Sequence, residues 1–182
     1  MELGLAPTKG GRGGPERVSG LAVAVVDEGG LVEFASRGYA DGEGRVPITP
    51  ETVFRVGSIS KLITAICVLQ LVERGEIGLD HPVHGYLRSS AVICTVPDAP
   101  EVTIRHLLTH TSGIGELRRL GDVAIEPFLG LAVTPQEEIP ALPIYYREGL
   151  RTTRAPGEAW TYANHGFGIL GLLVEDVTGR EF

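Results

Sequence analysis

The stretch from Phe54 to Gly75, FRVGSISKLITAICVLQLVERG, constrains the fold more than any other part of the chain. It carries a long apolar segment without a helix breaker, which predicts a single helix that ends at Gly75. Because apolar residues leave little polar face on this helix, we expect it to be buried on all sides. Other elements must therefore pack around it.

Ser58 and Lys61 lie three residues apart where this helix is predicted to begin. That spacing is nearly one helical turn, so the hydroxyl and the amine would share a face. A serine hydroxyl is a weak nucleophile until a base takes its proton, and a lysine among apolar neighbours can act as that base. Backbone N–H groups in the first turn could bind an oxyanion. Ser-x-x-Lys alone is weak evidence, because a capping serine followed by a surface lysine gives the same pattern.

Length and composition limit the classes of protein that the chain can represent. With 182 residues, 43% of them hydrophobic, the chain is expected to form one domain with a real core. A net charge of −7 without a basic cluster argues against nucleic acid as a partner. No apolar run reaches the roughly 18 residues of a membrane span, and the first residues lack a signal-peptide pattern, which favours a cytoplasmic location. Cys67 and Cys94 lie in apolar surroundings and are predicted to be buried thiols, not disulfide or metal sites.

The N-terminal part of the chain predicts a flexible lead followed by a hairpin. Residues 1–19 are rich in glycine and lack periodicity. Residues 21–26 and 31–36 are short β-prone runs, and the segment Asp-Glu-Gly-Gly between them is typical of a hairpin turn. Residues 53–56 are predicted to add one more short strand before the Ser58 helix.

Beyond Gly75 the pattern alternates between loops and helices. Residues 76–87 predict a loop with one short helix at most, and residues 102–110 predict a second helix with Thr103 as its N-cap. A glycine loop follows at residues 111–115. Repeated prolines between residues 127 and 156 predict a long surface excursion.

The last helix is predicted from Asn164 to Thr178, with an apolar stripe of Leu170, Leu173, Val174 and Val177 and with Gly179 as its stop. The turn before it, PGEAWTYAN, would present Tyr162 and Asn164 at the helix N-terminus. A phenol can shuttle a proton and an amide can hold a carbonyl group. Taken alone, a packing ring and a cap explain these two residues equally well.

Three blocks together, FRVGSISK, LLTHTSGIG and PGEAWTYANHGFGILGLLVEDVTG, resemble the serine β-lactamase-like family in their order and separation. This family includes class C β-lactamases, related esterases and penicillin-binding D-alanyl-D-alanine peptidases. Its members carry Ser-x-x-Lys, and in the branch that this chain resembles a Tyr-x-Asn follows, matched here by Tyr162-Ala163-Asn164. The resemblance covers residues 20–179 and implies an α+β, β-lactamase/transpeptidase-like fold.

The resemblance also implies a role for each matching residue. Ser58 would be the nucleophile that is acylated, and Lys61 its partner in proton transfer. Tyr162 would be the general base, and Asn164 would orient Lys61 and the substrate carbonyl. The backbone N–H of Ser58 would supply one oxyanion donor. Residues 110–113 would form a structural loop near the site.

One motif of the family has no match in this chain. The family carries Lys-Thr-Gly or His-Thr-Gly on a later sheet strand, and residues 20–182 are therefore expected to be a truncated, N-terminal part of the domain. The implied function is a serine hydrolase that cleaves an ester, a β-lactam or a D-amino-acid peptide through an acyl-enzyme on Ser58. The implied substrate is a small molecule or a peptide, and no metal or organic cofactor is implied.

The sequence offers three alternatives to this function. A metal hydrolase is suggested by His106 and His110, four residues apart, and by the histidines within residues 80–84. The zinc motif His-Glu-x-x-His would need a glutamate where this chain has Leu107. An α/β-hydrolase would need Gly-x-Ser-x-Gly, which occurs nowhere in the sequence. A catalytically inactive fragment that acts as a ligand-binding or interaction module stays open.

Overall fold

The computed structural model describes residues 20–41, 46–115 and 140–182, and mixes strands with helices. It divides into two compact units, Met1–Arg55 and Val56–Phe182. The predicted N-terminal lead and residues 127–139 of the predicted excursion lie outside the described residues. Within the described residues, no helix is long and apolar enough to cross a membrane.

The first unit contains the predicted hairpin. Strands β1 (Gly20–Asp27) and β2 (Gly30–Gly38) pair antiparallel, with a register irregularity at Val25/Val26. The carboxylate of Asp27 accepts a hydrogen bond from the Gly29 N–H at 2.8 Å, which closes the turn. The hairpin prediction is confirmed.

The predicted strand at residues 53–56 is wrong. These residues have no regular secondary structure, and Val53 is 94% exposed. β-prone side chains favour a strand only where a partner strand and a packing surface exist. The segment instead leads into a 3₁₀ turn at Gly57–Ile59.

Helix α1 (Ser60–Glu73) begins directly after this 3₁₀ turn and packs against the last helix of the chain. Gly75 follows its end with φ 72°, a conformation that glycine adopts without strain, so the predicted stop is confirmed. Complete burial of the helix is wrong. Thr64, Val68 and Leu71 are buried, whereas one side is exposed and consists of Leu62, Ile63, Ile66 and Leu69.

Helix α1 is only partly buried because its apolar composition predicts a preference for burial, whereas the elements packed against it decide which side is covered. The burial of the two cysteines is overestimated from their apolar surroundings in the same way. Cys67 on α1 and Cys94 are free thiols, and both are half-buried instead of fully buried.

Helix α2 (Ile104–Leu108) is shorter than predicted, but its N-cap is as expected. The hydroxyl of Thr103 accepts from the His106 N–H at 3.2 Å, and Nδ1 of His106 accepts from the Thr103 N–H at 3.2 Å. This reciprocal pair satisfies two backbone donors at the start of the helix. The helix ends early because His110 has left the helical conformation, with φ 59°.

The intervening segments contain a 3₁₀ turn at Val83–Gly85, the short helix α3 (Leu142–Tyr145) and a small parallel pair. This pair consists of β3 (Val92–Ile93) and β4 (Leu150–Arg151). The single short turn within residues 76–87 matches the prediction. The parallel pair was not predicted, because two residues are too few to show a strand period.

Helix α4 (Asn164–Thr178) supplies much of the core of the second unit. It ends at Gly179, which has φ 70° and donates its N–H to the Glu175 carbonyl at 2.8 Å. Leu170 and Leu173 of the predicted stripe are fully buried, and Val174 and Val177 are half-buried against the core. Each fully buried leucine stabilises the fold by about 1.5–3 kcal/mol relative to exposure.

Candidate active site

The first half of the site lies where α1 begins. Ser58 is the middle residue of the 3₁₀ turn, and Lys61 lies in the first turn of α1. The Lys61 ammonium donates a hydrogen bond to Ser58 Oγ at 3.2 Å. The turn is entered through Gly57, whose φ of 53° suits glycine. The spacing of three residues therefore brings the hydroxyl and the amine into direct contact.

The second half lies where α4 begins. Tyr162 precedes the helix, Ala163 is its N-cap and Asn164 is its first residue. The Tyr162 hydroxyl lies 2.5 Å from Ser58 Oγ, and Lys61 Nζ donates to Asn164 Oδ1 at 2.5 Å. Packing of α1 against α4 thus joins residues that are more than 100 positions apart in the chain.

The four side chains form one continuous hydrogen-bonded path: Tyr162 to Ser58, Ser58 to Lys61, and Lys61 to Asn164. The Lys61 ammonium also lies 4.9 Å from the centroid of the Tyr162 ring, close enough for a cation–π interaction. Ser58 is exposed, and the other three residues are half-buried. The serine oxygen is therefore accessible to a ligand while its polar partners are held in place.

The loop at residues 110–113 supports the segment that carries Tyr162. Three of its carbonyl groups accept backbone hydrogen bonds: His110 from Thr161 at 2.8 Å, Thr111 from Gly157 at 2.8 Å, and Gly113 from Thr153 at 2.7 Å. These three hydrogen bonds therefore fix the backbone of the segment between Thr153 and Thr161, which leads to Tyr162.

The sequence profile of the Beta-lactamase family matches residues 12–182. The chain belongs to the Beta-lactamase family.

Individual relatives match almost the whole chain but only part of their own length. Esterase EstB of Burkholderia gladioli is 35% identical over 170 residues, which are 90% of this chain and 42% of the esterase. Penicillin-binding protein 4 of Amycolatopsis lactamdurans is 35% identical over 169 residues, 91% of this chain and 40% of that protein.

The solved octameric penicillin-binding protein homologue from Pyrococcus abyssi superposes with a TM-score of 0.65 and 31% identity. The superposition covers 90% of this chain and 36% of that one. The described elements thus belong to the β-lactamase/transpeptidase-like fold, and the chain spans less than half the length of these Beta-lactamase-family relatives.

The histidines of the metal-hydrolase alternative have other partners in this Beta-lactamase-family chain. His106 caps α2, and burial lowers the pKa of its imidazole below the ordinary value. Nδ1 of His110 accepts the Ala163 N–H at 3.2 Å. Within the part of the chain that the structure describes, no group of three or more His, Cys, Asp or Glu residues could hold a metal ion.

Asp80 belongs to an exposed ion pair with Arg105. Its carboxylate accepts two hydrogen bonds from the Arg105 guanidinium, at 2.6 and 2.8 Å. The hydrogen bond from Arg105 holds the pKa of Asp80 below its usual range. Because solvent screens an exposed pair, this interaction contributes little to stability.

Sequence reasoning missed one feature of the site and reached another only through the family resemblance. The resemblance implied Tyr162 as the general base for Ser58, but their direct contact depends on how two helices pack, which no local pattern contains. The ring of His110 lies 4.6 Å from the Tyr162 ring, centroid to centroid, although its block was expected to be structural only. In the sequence, the only indication of this contact was that His110, a residue that can accept or donate hydrogen bonds and pack as a ring, lies beside a glycine loop.

Proposed function

We propose that the chain carries the nucleophile and proton-transfer groups of a serine hydrolase that works through an acyl-enzyme on Ser58. One observation carries the proposal: Ser58 Oγ lies within hydrogen-bond distance of both Tyr162 and Lys61. A serine needs a neighbouring base to become a strong nucleophile, and this serine has two candidate partners. Family membership and the named esterase relative support the same reaction class.

In the proposed acylation, Tyr162 acts as a phenolate and takes the Ser58 proton while Oγ attacks the carbonyl carbon. The new Oγ–carbon bond forms, the bond to the leaving group breaks, and the proton passes from Tyr162 to the leaving group. In deacylation, water gives a proton to Tyr162 and attacks the acyl carbon. Ser58 Oγ then leaves and recovers the proton.

Lys61 and Asn164 are proposed to support these steps by electrostatics and orientation. The Lys61 ammonium, 4.9 Å from the Tyr162 ring centroid, favours negative charge on the phenol oxygen. Asn164 accepts from Lys61 and so fixes the direction of that ammonium. The backbone N–H of Ser58, in the 3₁₀ turn, is the proposed oxyanion donor.

The proposed substrate is a small-molecule ester, a β-lactam or a D-amino-acid peptide. Relatives named as an esterase and as penicillin-binding proteins support this range. All three substrate classes present an activated or accessible carbonyl carbon to Ser58.

The test is intact-mass spectrometry after incubation with a generic fluorophosphonate, which forms a stable adduct with an activated serine. The wild-type chain should gain one adduct, and Ser58→Ala should gain none while its circular dichroism stays unchanged. Ser60→Ala is the matched control, because Ser60 is also exposed and lies two residues away; it should label like the wild type. An adduct that persists in Ser58→Ala would show that Ser58 is not the nucleophile.

A catalytically inactive interaction module is the second candidate function. The exposed apolar side of α1, where Leu62 is 60% and Ile63 57% exposed, is the observation that favours it. The same labelling experiment separates the two functions. A folded wild-type chain that gains no adduct would favour the inactive module, and labelling that depends on Ser58 would exclude it.

A further inference from the structure

His110 has an unusual backbone conformation at a position close to the site. Among the described residues, only His110 and Asp98 have a positive φ without being glycine. A non-glycine residue in this region is uncommon and costs energy, so the surrounding contacts must hold it there. Two hydrogen bonds and a ring contact join His110 to the segment that carries Tyr162, and the His110 N–H donates to the Leu107 carbonyl at 3.3 Å.

His110 binds the backbone on both sides of Tyr162. Its carbonyl accepts from the Thr161 N–H at 2.8 Å, and its Nδ1 accepts from the Ala163 N–H at 3.2 Å. Because Nδ1 accepts this bond, the neutral imidazole carries its proton on Nε2. Ala163 is only 1% exposed, so water does not readily replace this acceptor.

The imidazole also packs against the phenol ring itself. The two centroids lie 4.6 Å apart, and the centroid of the Phe167 ring lies 5.2 Å from that of His110. Ring packing and the two backbone bonds restrict both the main chain and the side chain of Tyr162. The hydroxyl of Tyr162 is thereby kept within 2.5 Å of Ser58 Oγ.

We propose that His110 is a positioning residue whose Nδ1 acceptor holds the Tyr162 backbone so that the phenol reaches Ser58. The inference rests on the proposed function, because it assigns His110 to the proton transfer between Tyr162 and Ser58. The block from Thr109 to Gly113 would then position the general base, in addition to forming a structural loop. A displacement of about 1 Å between reacting groups can slow a reaction by about 100-fold.

Three substitutions separate the acceptor from the rest of the residue. His110→Asn places an amide oxygen near the position of Nδ1, and asparagine tolerates positive φ. His110→Gln places its amide oxygen farther out, near the position of Nε2. His110→Gly removes the side chain and relieves the backbone strain. His84→Asn is the matched control, since His84 is exposed and pairs with Glu101.

The first measurement is the rate at which Ser58 is labelled by the fluorophosphonate, with circular dichroism and thermal melting in parallel. We expect His110→Gly and His110→Gln to label about 10- to 100-fold more slowly, His110→Asn to recover most of the rate, and His84→Asn to match the wild type. Wild-type rates in both slow variants would overturn the inference. An equal loss in His110→Asn and His110→Gln would overturn the role of the acceptor.

The second measurement does not depend on activity. The chain has five tyrosines, so ¹³C-tyrosine NMR gives five signals, and Tyr162→Phe identifies the signal of Tyr162. Both variants lose the imidazole ring beside the phenol, so that signal should move in both, but it should stay closer to its wild-type position in His110→Asn than in His110→Gln. If the wild type labels nowhere, the proposed function fails and this signal still decides the inference: equal displacements in His110→Gln and His110→Asn overturn it. If His110→Gly does not fold, the comparison of glutamine with asparagine gives the answer.

Discussion

Replacing Gly113 by alanine should destabilise the second unit, because the residue meets two separate steric restrictions. Its φ is 75°, and an added Cβ would overlap the carbonyl oxygen of Arg154. The Gly113 carbonyl also accepts hydrogen bonds from the N–H and the hydroxyl of Thr153, at 2.7 and 3.2 Å. A shift that relieves the overlap would strain these bonds as well.

The size of the effect follows from the two restrictions. Left-handed backbone costs a residue with a Cβ about 1–2 kcal/mol. Overpacking against a backbone that is held in place costs about 1–3 kcal/mol. The free energy of unfolding should therefore fall by about 2–5 kcal/mol. For a chain of this size, 1 kcal/mol lowers Tm by about 2–4 °C, so the loss in Tm should be about 4–20 °C.

Thermal melting followed by circular dichroism measures this loss, and Gly85→Ala is the control. Gly85 has a negative φ, and a Cβ there would meet no atom within 4 Å. Its substitution should change Tm by no more than about 1–2 °C, in line with ordinary surface changes. Equal Tm values for the two alanine variants would refute the argument that the loop packs tightly on Arg154.

Two further predictions concern the core and its pH dependence. Leu107→Ala removes a side chain that is 1% exposed and should lower the free energy of unfolding, measured in urea, by about 2–5 kcal/mol. The control Leu62→Ala, at a position that is 60% exposed, should change this free energy by less than about 0.5 kcal/mol. Burial lowers the pKa of His106, so the unfolded chain binds its proton more tightly. Stability should therefore be full above about pH 6.5 and be lost as pH falls through the lower folded-state pKa. Urea midpoints across this range should show a smaller loss in His106→Gln; an unchanged loss would assign the pH dependence to other groups.

Much of the local structure could be predicted from single residues with strong conformational preferences. Gly75 and Gly179 end their helices, and Thr103 caps α2, because backbone sterics and capping act within one turn of the chain. The hairpin follows from its turn in the same way. The fold class and the family could be recognised because three separated motifs occur together in one order.

The remaining features depend on contacts between distant parts of the chain. Leu62 is as apolar as Leu71, yet one is exposed and the other is buried, because α4 covers only one side of α1. The parallel pairing of Val92 with Leu150 joins two-residue segments that have no recognisable period. The positive φ of His110 is imposed by the tertiary structure and opposes local preference.

The site and the core share the same two helices. Lys61 lies about one turn before buried Thr64 on α1, and Asn164 lies five residues before a run of buried residues from Ile169 to Leu173 on α4. Local opening of a protein exposes the segments that have few buried contacts, whereas α4 buries seven of its residues and α1 buries three. Separating the four polar groups would therefore require an opening nearly as large as global unfolding. Amide hydrogens that are bonded within α1 and α4, beyond their first turns, should accordingly belong to the slowest-exchanging, cooperative part of the molecule, although Ser58 itself faces solvent.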